Sequence, residues 1–194
     1  MKRLLLILIL TLSFQSWTIA DDIRDFQIEG MSIGDSALKH YSIKQIKLVN
    51  KYDCKNSNFK DCGMFQALMG KKGIYNGNII LTFKKNDSNF IIHGIAGSSI
   101  YTNNIKDCYL KQNEIESELD GLFPNIIKKR IEKAHSGDPT GKSRNKSFYF
   151  NFPGNSRVYA SCYDWSKEMK YKDHLRVGIQ SSILKIWLDN KAYK

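Results

Sequence analysis

Between residues 146 and 166 the chain alternates apolar and polar side chains twice, on either side of a Pro-Gly-Asn-Ser turn signal. Phe148, Phe150 and Phe152 share one face of the first run, and Val158, Ala160 and Cys162 share one face of the second. Both sets reach one core only if an odd number of residues separates the runs, because a slip by one turns a whole strand over. The pattern predicts a hairpin with Phe152 opposite Val158 and a bulged loop of three or five residues around Gly154-Asn155-Ser156. Cys162 then faces inward.

The same patterning extends along the chain. Residues 21–33 read as an entering strand, with a bulge or turn at Gly30. Residues 34–38 open a short helix capped by Asp35 or Ser36, and Ser42 with Gln45 forms a capping box for the next. Residues 51–77 are polar and read as a long loop. In 78–84 Ile79, Leu81 and Phe83 alternate onto one face, and 89–101 repeats the alternation after a turn at Asn86-Asp87-Ser88. Asn103-Asn104 caps a helix over 105–123, whose apolar stripe is Ile105, Cys108, Ile115, Leu119 and Leu122, with Glu114, Glu116 and Glu118 outside it. After Pro124, residues 125–135 read as a further basic helical turn or two, and 136–145 as a flexible connector. Residues 174–180 predict a strand with Leu175, Val177 and Ile179 inward. Ser181-Ser182 caps a last short helix carrying Ile183, Leu184, Trp187 and Leu188. These elements amount to an α+β domain: an antiparallel sheet of about five or six strands with one main helix packed on one face.

The first twenty residues change the setting of that domain. Lys2 and Arg3 precede a run of leucine and isoleucine too short for a durable membrane span, and Thr18-Ile19-Ala20 supplies small residues at a cleavage site. Residues 1–20 read as a signal peptide cut after Ala20, leaving 21–194 as a single domain in the periplasm. No transmembrane span is expected after the leader is removed.

Charge and cysteine usage then bound the partners. The formal net charge of +11 falls to +9 without Lys2 and Arg3, and it comes from 24 Lys against 6 Arg, scattered along the chain. Aromatic residues do not interleave with the lysine clusters as a base-stacking platform requires, which argues against nucleic acid. The four cysteines, at 54, 62, 108 and 162, read as disulfides in an oxidising compartment. The preferred pairing is Cys54 with Cys62 and Cys108 with Cys162, worth about 2.6 and 4 kcal/mol by the loop-closure argument. There is no Cys-x-x-Cys and no paired histidine spacing, so neither a metal nor any other cofactor is expected.

Three stretches invite chemistry. Ile33-Gly34-Asp35-Ser36 resembles the serine motif of SGNH/GDS-type ester hydrolases, with Ser36 as nucleophile. The Gly-x-Asn-Asp segment and the late Asp-x-x-His of those enzymes are missing, and a helix cap explains the same residues. Residues 137–143 look like a phosphate loop but are one residue short and leave a helix where a strand is needed. Tyr163, Asp164, Trp165 and Ser166, at the end of the hairpin, are the candidate ligand contacts. Their structural alternative is a strand stop made by Asp164 and Ser166, with Trp165 covering the core. His93, alone within its strand, reads as a packed or surface residue.

Residues 29–36, Asn103-Asn104-Ile105 with Cys108-Tyr109, Gly141-Lys142-Ser143 and residues 162–166 appear together and in order. In this the chain resembles an uncharacterised family of small exported proteins of marine alphaproteobacteria. The resemblance implies a periplasmic protein with Cys108 and Cys162 as its structural pair, and it brings no activity. The expected function is therefore a non-catalytic periplasmic binding or envelope-interaction module, with an envelope protein or an anionic polymer as partner. A Ser36 hydrolase and a basic surface for anionic envelope polymers are the alternatives.

Overall fold

A computed structural model describes residues 23–48, 61–70, 73–102 and 104–192. Among these residues seven antiparallel strands form one sheet: β1 (Met64–Leu68), β2 (Ile79–Lys84), β3 (Gly94–Ile100), β4 (Ile127–Ala134), β5 (Arg144–Asn151), β6 (Arg157–Asp164) and β7 (His174–Gln180). Three α-helices accompany them: α1 (Ile43–Leu48), α2 (Ile105–Leu122) and α3 (Ser182–Asn190). The spatial order is β1-β2-β3-β7-β6-β5-β4. Two meanders, β1 to β3 and β4 to β7, thus lie side by side, joined through α2 and sealed where β7 pairs with β3. The architecture is α+β as expected, with seven strands where about five or six were expected and two shorter helices beside the main one.

The core lies between α2 and one face of the sheet. Alternation places Ile79, Leu81, Phe83, Ile95, Phe148, Phe150, Val158, Ala160, Cys162, Leu175, Val177 and Ile179 there, all buried. Cys108 of α2 bonds Cys162 of β6 across this layer, with an S–S distance of 2.02 Å and Cα atoms 6.1 Å apart, within ordinary disulfide geometry. Cys62 is also disulfide-bonded, while Cys54, its expected partner, lies outside the described residues.

Several expectations need correction. The central hairpin keeps the predicted parity but pairs Phe150, not Phe152, with Val158. Phe152 N–H donates to Ser156 O at 3.0 Å, and Gly154 and Asn155 take φ of 77° and 74° to close the turn. A shift by two residues preserves every inward side chain, which is why the alternation could not detect it. Residues 21–33 hold no strand among the described residues: Glu29 and Gly30, at φ 52° and 74°, form a tight turn that pairs Ile28 with Met31. Within the segment expected as a loop over 51–77, Met64–Leu68 is an edge strand. Residues 127–134 form the opposite edge strand, not helical turns. A fully solvated strand carries charges on both faces and so loses the alternation that would reveal it.

The inward stripe of α2 is Cys108, Gln112, Glu116 and Leu119, while Leu122 is 49% exposed. Gln112 Nε2 donates to Lys146 O (2.8 Å) and Ala160 O (3.0 Å). The Glu116 carboxylate meets Arg130 Nε at 2.7 Å and Lys128 Nζ at 3.2 Å, which fastens α2 to β4. Polar groups sit inward because α2 runs over strand backbone and over the charged edge as well as over apolar side chains.

Candidate functional site

The second face of the sheet is laid out by the strand registers in rows. One row runs Asn151, Arg157, Gln180, Gly94, and the next Lys129, Tyr149, Tyr159, Gly178, Ala96. A third runs Ile131, Ser147, Ser161, Arg176, Ser98, and a fourth Lys133, Asn145, Tyr163, His174, Ile100. Helix α3 covers one end of this face. Ser181 caps it, accepting the Leu184 N–H, and Leu184 packs so close to Gly94 that a Cβ there would stand 2.3 Å from its Cδ2. Tyr159 lies on Gly178 in the same way, its phenol pushed up to about 12 by burial. Beneath the larger side chains Ser147 donates to Asn145 Oδ1 (2.5 Å) and meets Ser161 Oγ (2.8 Å), so this buried polar floor is satisfied internally.

At the other end the rings gather. Tyr163 stacks on His174 at 4.6 Å between centroids, and Trp165 lies parallel to Tyr163 at 6.2 Å. His135 approaches Trp165 to 4.4 Å, and Tyr171 meets the indole edge-on at 4.9 Å. The Arg176 guanidinium sits over the Tyr163 ring at 5.2 Å, and Arg157, held by Gln180 at 2.6 Å, sits over Tyr149 at 4.8 Å. Burial, assisted by Arg176, lowers the His174 imidazole to about 4 against the opposing bond to Lys172 O. Burial followed by Arg176 and Lys133 lowers His135 as well. Trp165 Nε1 and His174 Nε2 are buried with no hydrogen-bond partner among the described residues.

The segment after β6 is held by the loop before β5. Ser166 donates its N–H to Ser143 Oγ (2.9 Å) and its hydroxyl to Asp138 Oδ2 (3.0 Å). Asp138 also accepts from the N–H and hydroxyl groups of Ser143 and Thr140, which hold its carboxyl far below the usual range. Residues 137–143, expected as a flexible connector, are thus a loop built around one carboxylate, and Lys142 pairs with Glu168 beyond it. Trp165 N–H donates to Asp173 Oδ1 at 2.8 Å.

Of the four candidate contacts, Tyr163 and Trp165 come together in the ring cluster, and Ser166 anchors the segment. Asp164 pairs in register with Arg144 and falls on the opposite face, where burial and then Asp173 raise its carboxyl. Within this group Ser166 bonds to the distant Ser143 and Asp138 and not locally as a strand stop, and Trp165 covers the second face, not the core. His135, His174, Arg176 and Tyr171 escaped the sequence reading. The signal for two of them was present: if Leu175, Val177 and Ile179 point inward, His174 and Arg176 point outward.

The other candidates take structural positions. Ser36 caps a 3-10 turn, accepting the Leu38 N–H, and donates its hydroxyl to Asn89 O at 2.6 Å, so its bonded partners are backbone atoms. His93 Nδ1 lies 3.4 Å from Ser181 Oγ, at the start of α3. A groove of about 490 Å³ between α2 and β4 is lined by Gln112, Glu116 and Arg130, already matched to each other or to backbone as described above. Among the described residues no cluster of three or more His, Cys, Asp or Glu gathers at metal-binding distance, and no helix is long and apolar enough to cross a membrane. In comparisons with protein-family models, curated proteins and solved structures, nothing matches the chain.

Proposed function

We propose that the protein is an exported, non-catalytic binding module of the cell envelope, and that it meets its ligand with the ring-and-cation face around Tyr163, Trp165, His174 and Arg176. The observation that carries this reading is the concentration of aromatic, imidazole and guanidinium groups on the half of the second face that α3 leaves uncovered among the described residues. Such a face supplies cation heads, ring edges and hydrogen bonds without a bonded nucleophile–base pair. The two unpartnered buried nitrogens, on Trp165 and His174, are donors or acceptors that a ligand or water can satisfy. The leader-like first twenty residues and the Cys108–Cys162 disulfide support an oxidising, extracytoplasmic setting.

The test is an indole resonance titration of the full mature chain against peptidoglycan fragments, soluble glycans and phospholipid vesicles. At least one of these is expected to move the Trp165 Nε1–H signal and leave Trp187, beside α3, in place. If none moves Trp165 while the protein stays folded, the reading is wrong.

A further inference from the structure

We infer that the ligand of this face is an acidic polysaccharide, a hydroxyl-rich polymer bearing carboxylate or sulfate groups. The inference rests on the binding-module reading and adds the chemical class. Its first support is a charge asymmetry within a single strand. On the α2 side of β4, Lys128 and Arg130 are matched by Glu116 and Asp120, and Arg144 of β5 faces Glu132 at 3.6 Å. On the other side of β4 stand Lys129 and Lys133, and no carboxylate pairs with either among the described residues.

Other strands add cations to this face. Arg157, Arg176 and Lys84 occupy second-face positions on β6, β7 and β2. No strand position on that face, from β1 to β4, holds Asp or Glu. Lys129 and Lys133 thus stand on a face whose strand positions carry cations and no carboxylate, a field that a polyanion complements.

Dimensions and ring geometry narrow the class. From the row of Arg157 to the row of Lys133 is six residues of strand, or about 20 Å, and β4 to β7 is about 14 Å across. That footprint exceeds a single small anion and suits several repeats of a polymer. A single-stranded nucleic acid would need open ring faces for its bases. Here the Tyr163 ring already carries His174 and Arg176, and the Tyr149 ring carries Arg157. What remains outward is cation heads, ring edges and the hydroxyl and amide groups of Tyr149, Asn151 and Gln180, which suit sugar hydroxyls and acidic groups.

The experiment is a binding titration of the full mature chain with polygalacturonate, dextran sulfate, neutral dextran and a single-stranded DNA of matched charge, over a range of salt. Binding to at least one acidic polysaccharide is expected, weakening steeply with salt, with neutral dextran inert and the DNA weaker. Replacing Lys129→Gln with Lys133→Gln is expected to cost about fivefold for each lysine, roughly 25-fold together. The pair Lys44→Gln with Lys106→Gln, which removes the same charge elsewhere, should change affinity by less than about twofold. Tighter binding of the DNA, equal binding of neutral dextran, equal losses in the two variants, or no binding to either acidic polymer would overturn the inference. If the acidic polymers fail while a neutral glycan or vesicle moves the Trp165 signal, the binding module stands and only its ligand class falls.

Discussion

His174 shows how a single residue acquires its properties from register. Set opposite Tyr163 and next but one to Arg176, it loses water on one side and faces a guanidinium on the other, and its imidazole drops to about 4. In the unfolded chain the same group titrates near its ordinary value of 6.5. The unfolded state therefore binds the extra proton between those values, so this group's contribution to stability is full above 6.5 and declines as pH falls toward 4. Urea unfolding of the wild type and of His174→Phe should show a gap in midpoint that moves against the wild type as pH falls through that window. A gap that stays constant between pH 7 and 4 would refute the assignment. Ser36 makes the opposite point: a residue with the letters of a nucleophile spends both of its hydrogen-bonding functions on backbone.

At the scale of elements, legibility followed burial on one face. Residues 79–84, 148–152, 158–162 and 174–180 each send apolar side chains to one face and mostly polar or aromatic ones to the other, so period-two alternation revealed them, and the Asn104 and Ser181 caps marked two helices. Edge strands β1 and β4 lack that contrast. Lys128, Lys129, Arg130 and Lys133 on β4 carry the marks of a solvated helix and of a guarded sheet edge alike, and only pairing to β5 decides. The ring cluster was half legible for a related reason. Tyr163 and Trp165 are neighbours in sequence, whereas His135 and His174 arrive from other segments, and nothing local announces them. The firmest agreement between separate readings is Cys108 with Cys162, since a helical stripe and a strand parity both pointed inward. Replacing both with alanine should cost about 4 kcal/mol in chemical denaturation for a closed loop of this length, where a separation of 54 residues is bridged. A loss below about 1 kcal/mol would show that α2 is held to β6 by packing alone.

Across the whole molecule, the two meanders own separate stretches of chain and share one sheet through a single junction. Its two borders are managed differently: β1 is only five residues long, and β4 is longer but heavily charged. The division also separates two kinds of surface. The face against α2 holds the disulfide, the phenylalanines and the matched ions, while the other face collects positive charge and rings.

The position of β7 in the sheet has a consequence for biogenesis. The strand that occupies the middle of the sheet is the last one to be synthesised, so β3 and β6 each wait with an open side until residues 174–180 emerge. A polypeptide that is threaded through a membrane before it folds gains from such an arrangement, because the sheet cannot close early and block its own passage. For the exported protein proposed above, the late strand would act as a built-in delay. A chain ended after residue 173 is expected to stay open to protease along both halves, whereas the full chain resists digestion, and pulse proteolysis of the two distinguishes this from independent folding of the halves.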